Sequence, residues 1–435
     1  VWEAAVYIDA TYEGDLAAAC GAPFRLGREG RNDLLEAAAG PIYQAWRGPI
    51  EGAVDGKGDH RVQAYNYRLC LTDDPVNQVP VPRPATYDAS EYESLIGDVR
   101  DSVWAGKVGG ELHLAGIGRL TNMVILPNRK TDANNQHLAF ISTDLPEENQ
   151  DWPTADWAWR DRFAQRLRDY ICGLIWFAQH DERLPVDFRD ACLRWGFAKD
   201  EYVDNANFPR QVYVREGRRI EGDHLFTAHD ALPVAPGARP PVHGDSIPAS
   251  HYALDSHACR KREPGRPHLE GFLSTGCAPY TVPMGVMLPK RVEWLLSPVA
   301  ASATHIGFST LRMEPCWMAL GEAAGLAAAT AVQTGIAPRS LDLRTLQDGL
   351  LARGAVLIHV RDVGPDHPDF AAVQRAGVRG LIPAWEARLD EAVDAAEIVR
   401  WWRISGQTGP VPATATRGDL VRRCFGKPVA RSQAG

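Results

Sequence analysis

Apolar positions along the chain follow two periods, one typical of strands and one of helices. The run Ala4-Ala5-Val6-Tyr7-Ile8 is short and continuous, the mark of a buried strand. The polar stretch Thr11-Tyr12-Glu13-Gly14-Asp15 and then Leu16-Ala17-Ala18-Ala19-Cys20-Gly21 follow, predicting strand, turn, short helix and glycine stop. Such a unit puts a ligand crevice at the carboxyl end of a parallel strand. Residues 22–150 are mixed and loop-rich; alternation over 63–71 predicts antiparallel strands, and the proline-rich stretch 73–84 predicts extended surface chain. With Thr154 as N-cap, Phe163, Leu167, Tyr170, Ile171, Leu174 and Phe177 recur at helical spacing as far as His180. A second helix is expected from Pro185 to near Gly196, a loop over 232–250, and a helix over 341–353 capped by Ser340 and ended by Gly354. Three short helices are expected at 367–374, 392–402 and 416–423, the last after a linker over 406–416.

One segment combines pattern with chemistry. His305-Ile306-Gly307-Phe308-Ser309-Thr310-Leu311-Arg312-Met313-Glu314 reads as a loop bringing polar groups to the mouth of a helix that starts at Pro315 and is capped by Gly335. Gly321 and Gly325, four apart, leave one helix face with hardly any side chains, so a sheet or a ligand can approach its backbone. The helix N-terminus, with unpaired N–H groups and partial positive charge, suits an anion or an electron-rich ring edge. Taken alone, this segment is better explained as an Ala-rich core helix closely packed in an α/β domain.

Composition narrows the function classes. A length of 435 residues allows two or three domains, and a formal net charge of -8 without a Lys/Arg-rich run argues against a general nucleic-acid binder. No apolar stretch has the length of a membrane span. The eight cysteines are scattered singly, without a CxxC pair, and read as reduced, small hydrophobes. The chain opens at Val1 inside a strand-like run, so a fragment without its targeting signal is expected. Thirteen tryptophans leave room for a sugar-stacking surface.

Two separated segments together resemble a known family. Ile8-Asp9-Ala10-Thr11-Tyr12-Glu13-Gly14-Asp15-Leu16 and Leu311-Arg312-Met313-Glu314-Pro315, with the Gly321/Gly325 helix, look like the second and last flavin-contacting segments of FAD-dependent oxidoreductases of the glutathione-reductase-like superfamily. Leu126-Pro127-Asn128 with Lys130, Asp132 and Asn134, Tyr213 to Arg219, and Tyr252 with Asp255 and His257 look like its substrate portion, so the resemblance covers roughly residues 1–354. It implies a mixed α/β (α+β) fold: a truncated Rossmann-like FAD-binding domain (1–30 and 300–354), an antiparallel-sheet substrate domain with inserted helices (31–299) and a small helical C-terminal module (362–435). It implies FAD as cofactor, held near Asp9, Ala10, Thr11, Gly14, Asp15, Arg312, Glu314, Pro315, Gly321 and Gly325. Catalytic roles fall to His305, as a proton relay, and Arg312, as a cation for the reduced flavin. The expected reaction is hydride transfer from a C–H of a small molecule, a carbohydrate-derived one being an option.

The departure is the missing GxGxxG strand–turn–helix that would hold the ADP half. The nearest match, Gly116-Ile117-Gly118, lacks the third glycine. If the ADP-binding segment is absent, the isolated chain is expected to bind FAD weakly or not at all and to be impaired. No metal site is expected: His257 beside Asp255, and His224 with His229 and Asp230, lack ligand spacing and a third donor. Arg215, Arg218 and Arg219 can anchor an anion or pair with Glu216 and Glu221. The turns at Gly380-Leu381 and Thr416-Arg417 resemble one surface-layer-homology repeat. A polysaccharide-active hydrolase or lyase with paired carboxylates, and a non-enzymatic attachment protein, are the rival readings.

Overall fold

The computed structural model describes residues 3–46, 48–52, 56–104 and 116–426. The first two residues of the expected FAD-binding portion and positions 427–435 of the C-terminal one lie outside this set. The fold is mixed α/β with small sheets, and the chain forms two compact units: Val1–Arg25, Arg218–Leu254 and Gly276–Gly435 make one, Leu26–Gly217 and Asp255–Thr275 the other.

The first unit is built on a parallel pair, in which Tyr7 and Ile8 are in register with Leu295 and Leu296. The longer apolar run is paired only at Tyr7–Ile8, where Leu295–Leu296 supplies the facing backbone. A short helix, Asp15–Ala19, follows, and Gly21 reverses the chain at φ +81°. Ser246–Ser250 is a strand, antiparallel to Tyr280–Pro283, although its proline-rich surroundings read as loop. The facing strand overrode the local signal by taking up its backbone hydrogen bonds.

The small-residue helix runs Glu314–Thr334, with Pro315 in its first turn and Gly335 left-handed at φ +69° as its cap. The segment before it is not a loop. His305–Leu311 is a helix, entirely buried, whose N-cap Thr304 accepts from the Gly307 N–H at 2.9 Å. Only Arg312 and Met313 break the chain between the two helices. Asp342, not Ser340, caps the next helix, Leu343–Leu351. Phe370–Gly377, Ala395–Ser405 and Arg417–Phe425 follow, and Val373, Trp401 and Phe425 share one continuous core with Leu296, Leu320 and Ala324.

The second unit carries a five-stranded antiparallel sheet, ordered Gln78–Val79, Gly196–Ala198, Leu69–Thr72, Lys130–Asn135, Thr121–Leu126. The Leu126-Pro127-Asn128 motif is the hairpin turn between the last two strands, with Asn128 and Arg129 left-handed. Gly116–Arg119 is a buried single turn of 3-10 helix, not a phosphate-binding loop. Helix Trp157–His180 buries the residues its periodicity picks out. Its cap is Asp156, which accepts from the Trp159 N–H at 2.8 Å, whereas Thr154 sits in the preceding turn, its hydroxyl facing the Asp151 carbonyl. All eight cysteines are free.

Candidate functional site

In the first unit the site begins with Asp9, one residue past the parallel strand and buried. Its Oδ1 accepts from the Thr11 N–H (3.1 Å) and hydroxyl (2.7 Å), and its Oδ2 accepts from the Ala17 N–H (2.9 Å) at the start of helix Asp15–Ala19. The Thr11 hydroxyl oxygen accepts in turn from the Gly14 N–H at 3.1 Å. Asp9 is thus occupied in shaping the turn, and Ala10 and Thr11 stand exposed at its rim. Gly14 is left-handed at φ +65°, and a Cβ there would come within 3.0 Å of the Ala300 Cβ. The Asp15 carboxylate pairs with Arg218 at 2.5 Å, and the same Arg218 nitrogen donates to the Glu13 carbonyl at 3.0 Å.

The second half comes from the helix pair. Tyr12, from the turn, stacks at a tilt on Trp317, in the first turns of helix Glu314–Thr334, with ring centres 5.3 Å apart; Phe308 lies 6.2 Å from the same indole. The turn that follows strand Tyr7–Ile8 and the start of the helix therefore meet through Tyr12 and Trp317. His305 is buried as the first residue of its helix, and Arg312 is buried at the break, with Nη1 3.9 Å from the Met313 sulfur. Glu314 sits in the first turn beside the positive helix end, where a carboxylate is favoured. Gly321 and Gly325 border open space, a Cβ at either meeting nothing within 4 Å.

Ser297 Oγ, Ser302 Oγ and Trp317 Nε1 are buried with no hydrogen-bond partner. Such orphans cost about 1–3 kcal/mol each unless a ligand engages them. The Trp317 indole N–H, whose ring meets Tyr12 of the turn, and the Ser297 hydroxyl, one residue past Leu296, fit a molecule rich in acceptors, as an isoalloxazine edge and a ribitol chain are.

The second unit has a separate feature, a cavity of about 320 Å³ lined among others by His137, Asp144, Tyr170, His257 and Phe272. The Asp144 carboxylate lies between Arg215 Nη1 and His257 Nδ1, each at 2.8 Å. The far nitrogen of His257, Nε2, is 3.7 Å from Asp255. Burial, with the neighbouring His257, pushes the His137 imidazole down to about 4, so it lines the cavity uncharged at neutral pH. The arrangement orients one imidazole through a carboxylate held by a buried guanidinium, which suits hydrogen bonding to a polar small molecule.

Sequence reasoning singled out Asp255 and His257 but missed Asp144, whose bond to His257 spans 113 residues and carries no local signal. Arg215 serves Asp144, the Ala64 carbonyl and Asn135. His224 and Asp230 do meet, at 3.2 Å, joined by His243 at 3.0 Å from Asp230. No helix among the described residues is long and apolar enough to cross a membrane.

Comparison with known proteins bears on the same segments. The family model described as FAD dependent oxidoreductase matches residues 1–350, which include the Asp9 turn and the helix pair. No curated protein and no solved structure matches the chain.

Proposed function

The chain belongs to the FAD dependent oxidoreductase family, whose cofactor is FAD, and from that premise we propose that it oxidises a small molecule by hydride transfer from a C–H bond to the flavin. The observation that supports the reading best is the meeting of the Asp9 turn with the start of helix Glu314–Thr334 through Tyr12 and Trp317. Bound FAD supplies the two-electron acceptor. The chain supplies placement and charge. Asp9, by holding Thr11 and Ala17, fixes the turn, so that the backbone from Ala10 to Gly14 would meet the cofactor in one conformation. Trp317 Nε1 and the Ser297 hydroxyl would donate to its polar atoms. Arg312, a buried guanidinium, would offset negative charge on the reduced cofactor. A ring nitrogen of His305 would take up the proton that a substrate hydroxyl releases.

The test has two stages. FAD is titrated into the purified chain and followed by flavin absorption and fluorescence; weak but saturable binding is expected, weakened at least tenfold further in Gly14→Val. Small alcohols, alditols and aldoses are then screened for anaerobic bleaching of the loaded protein. His305→Gln is expected to keep its flavin and bleach about 10²-fold more slowly. Equal bleaching rates would remove His305 from the reaction, and FAD affinity unchanged by Gly14→Val would remove the turn from the cofactor site.

A further inference from the structure

His224, Asp230 and His243 come together in the first unit, and none of them has a flavin-binding or catalytic role in the proposed reaction. They are brought there from three places. Asp230 belongs to a one-turn helix, Ala228–Ala231, and its Oδ2 accepts from the Thr227 N–H (2.7 Å) and hydroxyl (3.0 Å), which leaves Oδ1 free to point elsewhere. His224 is set by its backbone N–H, which donates to the Gly285 carbonyl at 3.2 Å. Gly285 must be glycine for this approach, since a Cβ would come within 2.9 Å of the His224 backbone nitrogen. His243, in the proline-rich segment, is set by its backbone N–H donating to the Thr281 hydroxyl at 3.0 Å.

The three ligand-type atoms, His224 Nε2, Asp230 Oδ1 and His243 Nε2, lie within 4.8 Å of one another. The oxygen is 3.2 Å from the first nitrogen and 3.0 Å from the second. Donors about 2.0–2.1 Å from one tetrahedral ion stand about 3.4 Å apart, close to these separations. A purely hydrogen-bonded account fits less well. Both imidazoles address the same oxygen, yet His243 Nε2, although buried and 3.0 Å away, makes no properly directed hydrogen bond. The two rings stand at 74°, with centres 4.9 Å apart, so their nitrogens converge without stacking.

The geometry points to a divalent metal site, with His224, Asp230 and His243 as the three protein ligands of a zinc-type ion. Two imidazoles and one carboxylate are the donor chemistry of zinc and its transition-metal neighbours, not of magnesium or calcium, which take oxygen. Thr227 is the outer-shell partner that orients the carboxylate. The His224 side chain is 31% exposed while the other two are nearly covered, so water or an added ligand can take the fourth position. An ion here would tie the proline-rich segment carrying His243 to the helix carrying Asp230.

The test uses the full chain, stripped with chelator, thiols blocked, and titrated with zinc chloride by calorimetry and equilibrium dialysis. One zinc per chain is expected, with a rise in melting temperature. Affinity should fall 10- to 100-fold in both His243→Asn and His224→Asn, and Thr227→Val should weaken it by a smaller factor. Circular dichroism of each variant separates loss of ligand from loss of fold, and His229→Asn serves as the folded control that keeps full affinity. Absence of zinc binding at high micromolar concentration, or binding undiminished in both ligand variants, overturns the site. The readout needs no flavin, so its outcome is independent of the proposed reaction.

Discussion

Two buried carboxylates are neutralised in opposite ways. Asp9 is satisfied by Thr11 and Ala17, donors no more than eight residues along the chain and all uncharged. Asp144 depends on Arg215 and His257, drawn from distant parts of the sequence, and one of them is a full charge with no exposure of its own. The first needs only its own turn to fold. The second exists only once the whole second unit has assembled. A locally satisfied carboxylate therefore costs little to place and is lost by one side chain's removal, whereas a long-range ionic one leaves a stranded charge when its partner goes.

The largest expected effect follows from that difference. Arg215→Met should destabilise the chain by about 3–5 kcal/mol in urea unfolding, because Asp144 loses its buried guanidinium. Adding Asp144→Asn should recover part of the loss, and additive losses would break the pairing. Asp9→Ala should cost about 1–3 kcal/mol, the price of unsatisfied Thr11 and Ala17 donors, measured in the same way. A loss as large as that of Arg215→Met would erase the contrast. Gly14→Ala should cost about 1–2 kcal/mol for the left-handed backbone, with the near contact to Ala300 adding to it.

The pH response sharpens the comparison from the other side. His137 titrates in the folded state at about 4, below its ordinary 6.5, because burial disfavours the cation. Its unfolded form thus binds a proton first as pH falls. The stability held in the neutral imidazole is complete above about 6.5 and is lost as pH drops toward 4. Unfolding free energy should fall across that window and fall less steeply in His137→Asn. An identical slope in the variant would show that His137 is not a source of the acid sensitivity.

Much of this was legible in the residues. The periodicity of Phe163, Leu167, Tyr170 and Leu174 marks a helix because one face must be buried along its whole length, and that face is buried. Gly21 and Gly335 stop helices because they take a left-handed conformation that other residues resist. Other features were not legible. The segment His305–Leu311 looked like a loop because its Gly, Ser and Thr are poor helix formers; complete burial and the Thr304 cap outweigh those preferences. Ser246–Ser250 looked like a loop because of Pro248, yet a facing strand makes it a strand. His243 carried no signal at all, and the Asp144 network none that links its members.

The sequence by itself determined what short-range chemistry can determine: the strand–turn–helix around Asp9, the start and stop of the small-residue helix, and a likeness to flavin-dependent oxidoreductases that rests on those segments. Only the tertiary structure decided which distant groups meet. It brought Tyr12 onto Trp317, Arg215 and His257 onto Asp144, and His243 onto Asp230. The physical reason is range. Backbone conformation, caps and periodicity act over a few residues and are written locally, while buried charges and ligand sets are satisfied by partners that chain topology alone can deliver.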